Sequence, residues 1–170
     1  MIDPFENPSD TQPRGVEDLR LLKKICDQRD CKVDNDVIYA HIRCGDVVSL
    51  PIQRKMNFNL FNIEEFILKI RSLAEDTGIN KIHLISKMHF GCYNTRNLFS
   101  YSEELVNENQ ILFSQILEGL SSFNVSIPAI YKDNIQSIDY DFLTLYKSKH
   151  LMLDHGGFSN LIFFLKSLEK

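Results

Sequence analysis

Asp36-Val37-Ile38-Tyr39-Ala40-His41-Ile42-Arg43 is the stretch on which the fold turns. Its first half is apolar and β-branched, and its second half sets His41 and Arg43 where the apolar run gives out. A strand covered on both faces reads this way in a parallel sheet, and the polar residues mark the edge at which it ends. After a long loop containing Pro51, Asn62-Ile63-Glu64-Glu65-Phe66-Ile67-Leu68-Lys69-Ile70-Arg71-Ser72-Leu73 puts Ile63, Phe66, Ile67, Ile70, Leu73 and Ala74 on one side of a helix. Asn62 with Glu65 three residues on makes a capping-box start, and Gly78 supplies the stop.

The same strand-then-helix pattern recurs. Short apolar runs at 81–86, 125–131 and 150–154 are each followed by amphipathic spacing, with Ser100 and Glu103 opening one helix, Ser137 capping another and 158–168 closing the chain. Pro128 places the third strand at an edge or shortens it, and 87–100 reads as a polar loop. A short helix at 16–26, carried by Val16, Leu21, Leu22 and Ile25, precedes them all. One helix followed by four βα units predicts an α/β, Rossmann-like parallel sheet with helices on both faces, because parallel neighbours need a crossover and the helix provides it. Residues 1–15, with Pro4, Pro8 and Pro13, are expected to be a flexible tail or linker, leaving 16–170 as one domain.

Composition narrows the classes. The chain has 170 residues, 44% hydrophobic and 25% charged, with 19 Lys+Arg against 23 Asp+Glu for a formal charge of −4. Those values suit a globular domain and speak against a duplex-DNA binder working by bulk charge, so no nucleic-acid partner is expected. No apolar run approaches the roughly 20 residues of a membrane span, and the first residues lack the basic and apolar regions of a signal peptide, which predicts a soluble, cytoplasmic chain. The four cysteines (Cys26, Cys31, Cys44, Cys92) are irregularly spaced and read as reduced thiols. Cys26 and Cys31 form C-x4-C without a second pair, and His89, His150 and His155 share no i, i+4 spacing, so no metal site is expected. His83, inside a strand, reads as a packed or edge histidine. Asn124-Val125-Ser126 matches a glycosylation acceptor and is taken as chance.

In open parallel sheets ligands bind beyond the carboxyl ends of the strands. Four segments lie there: His41-Ile42-Arg43-Cys44-Gly45-Asp46, Ser86-Lys87-Met88-His89, Tyr131-Lys132-Asp133-Asn134, and Asp154-His155-Gly156-Gly157-Phe158-Ser159. The first brings an imidazole, a guanidinium and a carboxylate together, and the planar donors of Arg43 suit a diphosphate. An Arg43–Asp46 pair that simply holds the loop is the plain alternative. In the fourth, Gly156 and Gly157 precede a helix, whose first unpaired N–H groups attract anions; adjacent glycines also occur in ordinary βα turns. Neither a Walker motif nor G-x-G-x-x-G is present.

These residues carry a resemblance. His41-Ile42-Arg43-Cys44-Gly45-Asp46 resembles the H-x-R-R-x-D motif of the α1,2- and α1,6-fucosyltransferases and their protein O-fucosyltransferase relatives, and 142–159 resembles the later stretch in which a helix and a short strand lead to a Ser-x-Phe-Ser turn. The similarity covers about residues 36–168 and implies the C-terminal, donor-binding half of a GT-B glycosyltransferase. It implies that Arg43 grips the diphosphate of GDP-fucose or a related GDP-sugar, that His41 and Asp46 shape the same pocket, and that Phe158 and Ser159, with Gly156 and Gly157, line its phosphate side. It implies transfer to a glycan or other hydroxyl acceptor, with the nucleotide sugar as substrate and no cofactor or metal; no residue stands out as the general base. The motif's second arginine is Cys44 here, and Asn160-Leu161 replaces the aromatic pair that often follows Phe-Ser. GT-B enzymes hold the acceptor in a separate N-terminal domain, for which the residues before Val37 are too few, so a fragment, a partner chain or a non-catalytic donor-fold binding or scaffold module are the alternatives. A flavodoxin-like or small nucleotide-hydrolase domain also fits the βα order.

Overall fold

The computed structural model describes residues 15–42, 63–86, 91–93, 99–101, 103–127, 135–154 and 157–168. In chain order these form α1 (Val16–Gln28), β1 (Ile38–His41), α2 (Ile63–Thr77), β2 (Lys81–Ile85), β3 (Gly91–Tyr93), β4 (Phe99–Tyr101), α3 (Glu103–Gly119), β5 (Asn124–Ser126), α4 (Ile135–Lys147), β6 (His150–Leu153) and α5 (Gly157–Ser167). Four strands make one sheet in the order β5-β2-β1-β6, with every neighbouring pair parallel. This is the doubly wound α/β architecture that the alternating pattern predicts.

Residue alternation along β1 assigns the faces. Ile38, Ala40 and Ile42, with Ile82 and Leu84 of β2, pack under Phe66, Ile67, Ile70 and Ala74 of α2 and Leu112, Phe113, Ile116 and Leu120 of α3. Tyr39 and Ile85 point the other way, against Leu145 of α4 and Ile162 of α5. Helices following β1 and β2 thus cover one face and those flanking β6 the other. That division is what crossovers of one hand require when the chain runs from β1 outward to β5 and then returns past β1 to β6.

Two elements differ from expectation. The stretch predicted as a polar loop contains the antiparallel pair β3–β4, each strand three residues long, too short for alternation to show in the sequence. The third strand is described over Asn124–Ser126, and residues 128–131 of the predicted run, with Pro128, lie outside the described residues. Helix α4 also begins at Ile135, before the predicted Ser137 cap. Gly78 ends α2 as expected, with φ +71° and its amide bonded to the Ala74 carbonyl at 2.8 Å; the left-handed turn suits glycine because it has no Cβ to clash.

Helix α1 docks on α4 and α5 through Leu19 and Cys26 against Leu143, Tyr146 and Leu165. A polar latch completes the contact. Asp27 Oδ2 accepts from Lys23 Nζ at 2.8 Å, Asp27 Oδ1 accepts from the Tyr146 hydroxyl at 2.7 Å, and the Asp27 carbonyl accepts from Lys147 Nζ at 3.0 Å. Lys166 Nζ donates to the carbonyls of Tyr146 and Ser148 at 2.7 and 2.8 Å, a positive group satisfying oxygens that the end of α4 leaves without helical partners. Among the described residues no helix is long and apolar enough to cross a membrane.

Candidate functional site

The chain changes direction between β1 and β6: α2 leads from β1 to β2 on one side, while β6 enters on the other. Adjacent strands whose connections run apart leave a crevice at their carboxyl ends, the usual ligand position in such sheets. By that rule the expected ligand position is at the carboxyl ends of β1 and β6, beside the start of α5. The Asp154 amide donates to the His41 carbonyl at 3.2 Å and the Ile42 amide to the Ile85 carbonyl at 3.0 Å, so β1 is held from both sides as far as this edge.

His41 closes β1 on the α4/α5 face, 8% exposed. Its Nδ1 lies 2.8 Å from Oγ of Ser159, which is 1% exposed. One hydrogen is shared, and the ring tautomer sets which atom donates it. The Phe158 ring lies against the imidazole with centroids 4.9 Å apart, and Phe142 of α4 backs Phe158 edge-on at 5.5 Å. The ring orientation is therefore fixed by a hydrogen bond and by a chain of aromatic contacts.

Gly157 is the first residue of α5 and Ser159 the third. The backbone N–H groups of that turn have no partner within the helix and carry the positive end of its dipole. Among the described residues, no atom lies within 4 Å of a Cβ built at Gly157, so open space adjoins the helix start. An anion placed there would meet amides rather than side chains.

Of the sequence-predicted residues, the structure thus brings His41, Gly157, Phe158 and Ser159 to one edge. Arg43, Asp46 and Gly156 lie outside the described residues. Phe142 is absent from that set, since its spacing reads as helix core; the signal for its role is tertiary. Ser86, just past β2, also reaches this edge and is 7% exposed.

A second histidine–serine pair lies at the β5 edge of the sheet and is exposed. His83 Nδ1 is 2.7 Å from Ser126 Oγ, and the two are register partners on β2 and β5. The Ser126 hydroxyl also lies 3.3 Å from the Ile82 carbonyl, and Tyr39 meets the His83 ring edge-on at 5.6 Å. Burial pushes the His83 pKa below its ordinary value, which keeps the ring neutral. This pair cross-links β2 and the edge strand β5, in keeping with a packed or edge histidine. Among the described residues no group of three or more His, Cys, Asp or Glu side chains could hold a metal ion, and Cys26 and Cys31 form no disulfide.

Comparison with protein-family models, curated proteins and solved structures found no match for the chain.

Proposed function

We propose that this domain binds a nucleotide-diphosphate sugar, GDP-fucose or a related GDP-sugar, at the β1/β6 carboxyl edge and serves as the donor half of a fucosyltransferase-like glycosyltransferase. The observation that supports this most is the His41–Ser159 hydrogen bond. Two segments that resemble the donor-site motifs, 118 residues apart, meet at the position where a doubly wound sheet takes its ligand.

In such a transfer an acceptor hydroxyl attacks the sugar carbon and the nucleoside diphosphate departs with its electrons. Stabilising the negative charge that develops on the leaving group is the main electrostatic task. The amides opening α5 are oriented for it, and Arg43, two residues beyond His41, would add a bidentate cationic contact. His41, held by Ser159 and Phe158, would form the wall between the two. The acceptor, a glycan or another hydroxyl compound, would be presented by a separate domain or chain.

Calorimetric titration of GDP and UDP into the wild type, Arg43→Ala, Arg43→Lys and Asp46→Ala tests this. Wild type should bind GDP, Arg43→Ala should lose about 1.5–3 kcal/mol, the worth of a hydrogen bond to a charged group, and Arg43→Lys should recover part of it. Failure of the wild type to bind either nucleotide at millimolar concentration would overturn the proposal in favour of a scaffold module. Equal losses of melting temperature in Arg43→Ala and Asp46→Ala, with GDP binding untouched, would assign the pair to holding the loop.

A further inference from the structure

The two edges of the sheet differ. β5 is three residues long, Asn124-Val125-Ser126, with a polar side chain at each end, whereas β6 runs over His150-Leu151-Met152-Leu153, mostly apolar. Edge strands are kept from pairing with other chains by brevity, lysine, proline or a bulge. β5 has the first of these devices, and β6 has none within its span. Every residue of β6 is half-buried, while every residue of β1, which has a strand on each side, is buried.

Hydrogen bonding shows which backbone groups of β6 face outward. The Asp154 amide donates to the His41 carbonyl, and the N–H and C=O of one residue point to the same side of its strand, alternating along the chain. Those of His150 and Met152 therefore turn toward β1, and those of Leu151 and Leu153 turn away from it. Among the described residues no strand lies on that side.

A two-fold axis perpendicular to the sheet at Met152 brings a second β6 antiparallel to the first. Leu151 then exchanges both backbone bonds with the partner's Leu153, Met152 faces the partner's Met152 in a pair without backbone bonds, and His150 stands opposite the partner's Asp154. The segment His150-Leu151-Met152-Leu153-Asp154 is thus self-complementary, apolar at its centre with a base at one end and an acid at the other. Moving the axis to Leu151 keeps the bonding pattern but sets Asp154 opposite the partner's Ser148, so the charges select the first register. Helix α5 extends the surface. Leu161 and Leu165 turn to the cluster shared by α1 and α4, and Phe163, two residues from each, lies about 160° away around the helix and is 61% exposed. Its flank of α5 is the one away from α4, on the side where the sheet ends with β6.

We propose that β6 is a self-association edge, at which a second copy of this chain pairs antiparallel to form one continuous sheet across a two-fold axis, with the Phe163 flanks of the two α5 helices packed beside it. This is independent of what the carboxyl edge of the sheet binds.

Sedimentation velocity of the full chain over roughly 10–500 μM, the regime of a small reversible interface, should show a monomer–dimer equilibrium. His150→Asp sets carboxylates against each other at both ends of the pairing and should weaken association about tenfold. Combining it with Asp154→Lys restores opposite charges and should return most of the loss. Phe163→Glu alters a side chain that is already exposed, so the fold is kept, and association should weaken again; it decides the matter if circular dichroism shows that His150→Asp does not fold. A chain that stays monomeric over that range overturns the proposal, as does an open series of larger species, because a two-fold pairing closes at the dimer. A dimer indifferent to His150→Asp and Phe163→Glu would place the contact elsewhere and also overturn it. A double variant no stronger than His150→Asp would show that the two residues do not meet, with the same consequence.

Discussion

His41 and Ser159 share a buried hydrogen bond of 2.8 Å between the last residue of β1 and the first turn of α5. Because both side chains are enclosed, neither can turn to water if the other is removed. Ser159→Ala should therefore cost about 1–3 kcal/mol, the penalty for stranding a buried polar group. His41→Phe strands the serine hydroxyl in the same way. The double variant should be less destabilised than the two single losses together, by about 0.5–3 kcal/mol, in urea unfolding. Simple additivity would mean that the bond contributes nothing.

The latch on α1 predicts a dependence on pH. Hydrogen bonds from Lys23, and then from Tyr146, hold the Asp27 carboxyl below its usual range. The unfolded chain then takes up a proton before the folded one does, so stability present above an ordinary aspartate pKa of 3.8 is lost as pH falls below it. At the alkaline end the Lys23 ammonium is held above its usual range by Asp27, and the Tyr146 phenol is pushed up to about 12 from 10.0, by burial first and by Asp27 second. Both raise the folded value, so their contribution is complete below about pH 10 and is lost as pH rises toward 12. Asp27→Asn keeps an acceptor for Tyr146 but removes the charge. Melting temperature against pH should be flatter in this variant at both extremes, and curves parallel to wild type would refute the role of Asp27. Since the carboxylate is largely open to solvent, added salt should weaken the effect.

His83 offers a direct titration. Burial lowers its pKa from 6.5, so its share of stability is complete above pH 6.5 and declines as pH falls through the depressed value. Its ring signals in an NMR titration should show a midpoint below 6.5. A midpoint at or above that value would show that the imidazole is better solvated than its place between Tyr39 and Ser126 allows.

Gly119 lets α3 approach α2. A Cβ built there would overlap Ile67 Cδ1 and lie 3.1 Å from its Cγ1 and 3.4 Å from its Cγ2, while the Gly119 carbonyl accepts Arg71 Nη2 at 2.7 Å. Alanine gains up to about 1 kcal/mol of helix propensity, against about 1–3 kcal/mol for overpacking a close contact. Gly119→Ala should therefore destabilise. Adding Ile67→Val, which removes the overlapping Cδ1, should recover part of the loss in chemical denaturation, and a stabilised single variant would show that Ile67 yields freely.

The sheet was legible because β1 and β2 are short apolar runs followed by amphipathic helices, and Gly78 marks a stop that few other residues tolerate. The hairpin was not legible, as three residues per strand leave no period to detect. His41 and Ser159 stand out singly, one at a strand end and one at a helix start. Their mutual bond follows from β6 lying beside β1, a consequence of the strand order that no local pattern encodes. The burial of the Ser86 hydroxyl is still less visible: a serine after an apolar strand is ordinary until its surroundings are known.

The placement of β1 between β2 and β6 also bears on how the chain is made. β2 emerges soon after β1 and can pair with it, but the β6 partner of Ile38 is His150, synthesised near the end of the described chain. At 5–20 residues per second, one flank of the central strand waits on the order of 10 s for its neighbour. During that interval the growing polypeptide exposes Tyr39 and an unpaired row of backbone groups, a template for pairing with another chain. Newly made protein is thus most vulnerable to aggregation just before the segment that completes the central sheet leaves the ribosome.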